Sequence, residues 1–107
     1  MILRFTSVSA QEYEPNVFFH QNDTLPYRIL LPEDFDSQKS YPLLVILHGS
    51  GERGNDNELQ LFHGGYLFKT DEFRAKYPSI VVFPQCPLES YWASVYEDYD
   101  ASSLKKK

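Results

Sequence analysis

The sequence predicts an α/β fold in which an antiparallel hairpin precedes parallel strands joined by a crossover helix. Three observations predict it. Residues 43–47 (Leu-Leu-Val-Ile-Leu) form an unbroken apolar run between Pro42 and a glycine-rich turn, as in a sheet strand buried on both faces. Residues 80–83 (Ile-Val-Val-Phe) form a second such run. Between them lies a helix signal, and strand, helix, strand is a parallel crossover unit.

Each element has a local cause. Val17, Phe18, Phe19 and His20 are an aromatic and β-branched run closed by the turn formers Gln21, Asn22, Asp23 and Thr24. Residues 27–31 return as the second hairpin strand, with Tyr27, Ile29 and Leu31 on one face and Arg28 and Leu30 on the other. Pro32 ends it, and residues 33–40 are a charged connection. Residues 59–68 have helical apolar spacing, but Gly64 and Gly65 interrupt it. Thr70 is a helix N-cap, Asp71 and Glu72 suit the first turn, and Phe73 and Tyr77 share a face until Pro78 stops the helix.

The glycine-rich turn, residues 48–54 (His-Gly-Ser-Gly-Glu-Arg-Gly), lies at the carboxyl end of the first buried strand, where open α/β sheets bind ligands. Two readings compete. Gly49, Gly51 and Gly54 spell G-x-G-x-x-G, the fingerprint of a dinucleotide-binding unit. Its context is missing: Asn55, Asp56, Asn57 and Glu58 follow instead of a packed helix, and the next strand ends in Phe83, Pro84 and Gln85, without an acidic residue for a ribose. In the second reading, His48 and Gly49 open an oxyanion loop, whose glycines let backbone N–H groups approach a developing negative charge.

The run at positions 48–57, with Leu25-Pro26-Tyr27-Arg28 before it and Pro84-Gln85-Cys86-Pro87 and Trp92 after it, resembles the amino-terminal half of an α/β-hydrolase. The group it resembles is the carboxylesterase and predicted-peptidase branch related to prolyl oligopeptidases and dienelactone hydrolases. The resemblance covers about positions 11–95. It implies the amino-terminal part of an α/β-hydrolase sheet, incomplete, with Ser50 and Gly51 as oxyanion donors through their backbone. It further implies that His48, Gly49, Glu52, Arg53 and Gly54 shape the loop and that Cys86 and Trp92 line a pocket, plain packing being the competing reading for those two.

A serine hydrolase needs a nucleophile on a G-x-S-x-G turn, followed in chain order by an acid and a histidine. These 107 residues contain no G-x-S-x-G, so no catalytic residue is assigned within the chain. Ser50 is a poor substitute, because adjacency to His48 does not create hydrogen-bond geometry. Asn55, Asp56 and Asn57 carry oxygen ligands but lack the rest of a calcium loop, and a turn accounts for them. An isolated strand histidine such as His20 reads as a surface residue, and His63 carries no signal either way. No metal or cofactor is called for.

Length and charge bound the remaining possibilities. At 107 residues the chain makes one small domain, whereas hydrolases of this fold need about twice that length. The expected division is a candidate leader remnant at 1–10, the hydrolase half at 11–95 and a divergent polar tail at 96–107. Val8, Ser9 and Ala10 suit a signal peptidase, but the apolar stretch before them is short, and the sequence does not choose between export and a cytoplasmic location. A net charge of -5 argues against nucleic acid, and no apolar run approaches a membrane span. The lone Cys86 forms no internal disulfide.

The reading is therefore part of a serine hydrolase acting on carboxylic esters or peptides, inactive alone. The alternatives are a noncatalytic interaction or remnant domain and a dinucleotide-binding unit. In the hydrolase fold, the strand at 43–47 lies between the strand at 80–83 and a later one. Its far edge is then open here, which predicts self-association or pairing with a complementing segment.

Overall fold

The computed structural model describes residues 12–93, so the expectations for a leader at 1–10 and a polar tail at 96–107 lie outside the described residues. One mixed sheet organises the chain. Strand β1 (Glu14–His20) pairs antiparallel with β2 (Asp23–Leu30), β2 pairs antiparallel with β4 (Ile80–Pro84), and β4 pairs parallel with β3 (Leu43–Val45). The order across the sheet is β1-β2-β4-β3.

The hairpin is longer and tighter than its turn residues suggest. Asp23 and Thr24 pair within the ladder, opposite His20 and Phe19, which leaves Gln21 and Asn22 as the turn. Gln21 takes a positive φ of 56 to close it.

The crossover from β3 to β4, residues 46–79, is mostly short turns rather than one helix. Three 3-10 segments (Ser50–Glu52, Leu59–Leu61, Gly65–Lys69) precede helix α1 (Asp71–Lys76). The Thr70 hydroxyl accepts from the Phe73 N–H at 3.2 Å, with Asp71 and Glu72 in the first turn. The Phe73 and Tyr77 rings lie 5.4 Å apart.

This crossover covers one face of the sheet. Leu30, Val81 and Phe83 are buried there with Tyr13, and Leu44, Ile46, Leu61 and Phe68 pack against them. Each large apolar side chain so buried contributes roughly 1.5–3 kcal/mol. Tyr13 meets Phe83 edge-on at 5.4 Å and donates its hydroxyl to the Gly65 carbonyl at 2.8 Å. Burial pushes its phenol pKa well above the ordinary value, against a smaller opposing effect of Arg74.

The opposite face corrects one expectation. The run at 43–47 is not buried on both sides: Leu43, Val45 and Leu47 are 61%, 51% and 54% exposed, and the strand itself spans only Leu43–Val45. The pleat sends alternate side chains to opposite faces, and the crossover shelters only the face of Leu44 and Ile46. Leu43, Val45, Ile80, Val82, Tyr27 and Ile29 line a shallow apolar groove of about 370 Å³ on the other.

Candidate functional site

The loop after β3 carries the candidate residues, and its geometry follows from where its polar groups are bonded. Ile46 extends the ladder by one bond, N–H to the Val82 carbonyl at 2.9 Å, so His48 emerges beside the end of β4. Its imidazole is committed on both sides: Nε2 accepts the Cys86 N–H at 2.9 Å, and Nδ1 meets the Gly49 carbonyl. Those partners assign a neutral ring protonated at Nδ1. Neither nitrogen remains to deprotonate the Ser50 hydroxyl.

Gly49 caps the 3-10 turn Ser50–Glu52, and its N–H donates to Glu52 Oε1 at 3.0 Å. Glu52 Oε2 also lies 3.4 Å from His63 Nε2. The Glu52 and Arg53 N–H groups close on the Gly49 and Ser50 carbonyls, and the Gly54 N–H reaches the Cys86 carbonyl at 2.9 Å. The N–H groups of Ser50 and Gly51 stand first in the turn, where no intrahelical acceptor exists. Among the described residues neither donates a hydrogen bond, and both residues are exposed.

Arg53 holds the outer wall. Its Nε donates to the Ser50 carbonyl at 2.8 Å, Nη1 donates to the Leu88 and Ser90 carbonyls at 2.8 and 3.1 Å, and the guanidinium lies 4.4 Å from the Tyr91 ring centroid. A planar, multiply donating cation suits this role better than lysine would. Trp92 Nε1 donates to the His48 carbonyl at 3.0 Å with the two rings 5.0 Å apart. Cys86 is buried, and its backbone rather than its thiol meets the loop.

The run after the glycines is a turn in which the side chains of Asp56, Asn57 and Glu58 are engaged. Asp56 Oδ1 accepts from the Glu58 and Leu59 N–H groups and from Gln85 Nε2, at 3.0, 3.2 and 2.9 Å. The Gln85 bond, followed by those from the two backbone groups, holds the Asp56 carboxyl below its usual range. Asn57 takes a positive φ of 56 and donates through Nδ2 to the Tyr27 carbonyl. No group of three metal-ligating side chains is present among the described residues. The α-helix of the crossover begins only at Asp71, so Gly49, Gly51 and Gly54 do not open one. His20 sits exposed at the hairpin tip, away from the loop.

Sequence reasoning passed over Gln85. It is fully buried and reaches the loop at three points. A glutamine directly after an apolar strand is the signal that could have found it, since such a side chain needs partners for both ends of its amide.

A four-stranded mixed sheet, with its glycine loop at the carboxyl end of a parallel strand, is part of an α/β-hydrolase-like fold. Among solved structures the chain is similar to the crystal structure of a thermostable esterase, with 32% identity and a TM-score of 0.74 over 87% of this chain. The match spans 26% of that esterase, so the chain corresponds to about a quarter of its length. No family model matches the sequence. No curated protein matches it either.

Proposed function

We propose that this chain is the oxyanion-loop portion of a serine hydrolase of the carboxylesterase and predicted-peptidase branch, acting on carboxylic esters or peptides. Ser50 and Gly51 offer their backbone N–H groups to the carbonyl oxygen that becomes negative as acyl transfer proceeds. The nucleophile, acid and histidine are not supplied by these residues, and alone the chain has no triad-dependent activity. One observation carries the reading: the N–H groups of Gly49, Glu52 and Arg53 are bonded within the loop and that of Gly54 to the Cys86 carbonyl, while among the described residues those of Ser50 and Gly51 donate to no acceptor. Preorganised donors of this kind are worth about 10²–10³ in kcat each.

The test is a chimera in which this chain replaces the matched portion of the thermostable esterase. The chimera is expected to hydrolyse a p-nitrophenyl ester, and Gly51→Pro, which deletes one donor, is expected to lower kcat about 10²-fold. Labelling of Ser50 in the isolated chain by a fluorophosphonate would overturn the reading.

The outer edge of β3, which no strand among the described residues pairs, favours a second, compatible role in pairing. The β3 to β4 crossover covers the face of Leu44 and Val81. Parallel crossovers are right-handed, so a strand added outside β3 by a connection running the other way brings that connection over the bare face of Leu43, Val45, Ile80 and Val82. The occupant that fits both edge and face is a strand-and-helix segment of a hydrolase sheet.

A further inference from the structure

We propose that Gln85 is a positioning residue of the oxyanion loop, a buried side chain whose bonds to the end and exit of the turn set how the Ser50 and Gly51 N–H groups are presented. The inference rests on the oxyanion reading of those two groups. Gln85 follows β4 directly, and its own N–H donates to the Pro26 carbonyl at 2.9 Å, which ties its backbone to β2. From that fixed point the carboxamide reaches into the loop. Oε1 accepts the Asn57 N–H at 2.7 Å, and Nε2 donates to the Glu52 carbonyl at 3.1 Å and to Asp56 Oδ1 at 2.9 Å. Both amide hydrogens and an oxygen lone pair are used, with no exposure to water.

Two of those bonds bear on the donors through the backbone. The Glu52 carbonyl ends the 3-10 turn that Ser50 and Gly51 begin, and the Glu52 side chain returns to the Gly49 N–H. Fixing Glu52 therefore fixes the tilt of the turn. Asp56 and Asn57 anchor the exit of the same loop. Gly54 lets the backbone turn beside Gln85: its φ is +153, a conformation that residues with a side chain rarely adopt. Only glutamine meets all three demands. Glutamate keeps the acceptor for Asn57 but loses both donations and sets its charge against the Asp56 carboxylate. Leucine leaves the Asn57 N–H and the Glu52 carbonyl without their partner.

Isotope-labelled 107-residue chain tests this by NMR, with Gln85→Glu, Gln85→Leu and a core control, Val81→Ala, which lowers stability from beneath the sheet. Both Gln85 variants are expected to shift the Ser50 and Gly51 amide resonances and to raise the titration midpoint of the Asp56 carboxyl, and Gln85→Leu, which removes the acceptor of the Asn57 N–H, is expected to speed exchange of the Asn57 amide at least about tenfold, the loss of one hydrogen bond. Val81→Ala is expected to lower the thermal midpoint without these changes. Native Ser50 and Gly51 resonances in Gln85→Leu, or equal shifts in Val81→Ala, would overturn the proposal. So would loss of the dispersed spectrum in both Gln85 variants, since Gln85 would then hold the whole fold and not the loop. In the esterase chimera, Gln85→Leu is expected to reduce kcat with KM little changed. A chimera insensitive to Gly51→Pro while the isolated chain still shows the loop changes would sink the oxyanion reading and leave Gln85 as a residue that shapes the loop.

Discussion

The Cys86 N–H donates to His48 Nε2 at 2.9 Å, joining the end of the sheet to the first residue of the glycine loop. A side chain thus serves a backbone donor that has run past the end of its ladder. Replacing His48 by alanine leaves that donor, on a buried residue, unpaired, at a cost of about 1–3 kcal/mol. The His48 ring is also the neighbour of Trp92, the chain's one tryptophan. His48→Ala is therefore expected to lower the thermal midpoint and to shift tryptophan emission to the red, measured together in one fluorescence melt.

Acid is expected to loosen the loop through Asp56. Its folded-state pKa lies below 3.8, first because of the Gln85 bond and then because of two backbone donors. A depressed carboxyl stabilises the fold above its unfolded pKa and loses that contribution as pH falls through the folded value. Urea midpoints taken from neutral pH downward should fall as the pH drops through and below the ordinary aspartate range. In Asp56→Asn that part of the decline should disappear. An unchanged slope in the variant would assign the acid sensitivity to other carboxyls.

Phe83 is 1% exposed and touches both Tyr13 and Phe68 edge-on. Truncation to alanine removes the centre of the one covered face and costs about 3–5 kcal/mol. Against a total stability of about 5–15 kcal/mol for an ordinary domain, that is a large share of the margin. Circular dichroism on heating is expected to show a broad, early transition for Phe83→Ala in place of a cooperative one.

No strand among the described residues pairs with the outer edge of β3, and that edge should make the chain associate. Sedimentation velocity is expected to show species larger than the 12.5 kDa monomer, increasing with concentration. Val45→Lys places a charge on the exposed face at the open edge and should return the chain towards monomer. A concentration-independent monomer before the substitution would remove the case for pairing through β3.

Much of the scaffold was legible in the sequence because its causes are local. The apolar run at 80–83, the hairpin that turns after His20, and the Thr70 cap each depend on residues within a few positions of one another; that Asp23 and Thr24 join the ladder and leave a two-residue turn came from the structure. The glycines at 49, 51 and 54 likewise marked the bend after β3 without any knowledge of its neighbours. Which side of β3 is sheltered was not legible, because an alternating pleat of five apolar residues looks the same whether one face or two are covered. Nor was the office of Gln85: its three loop partners stand 28 to 33 positions away in sequence. Chain chemistry alone determined where the apolar runs lie, the cap and the place where the backbone had to bend. Tertiary structure decided which polar groups the bend satisfies and which it leaves facing outward, because a hydrogen bond is a matter of distance and direction between groups that only folding brings together.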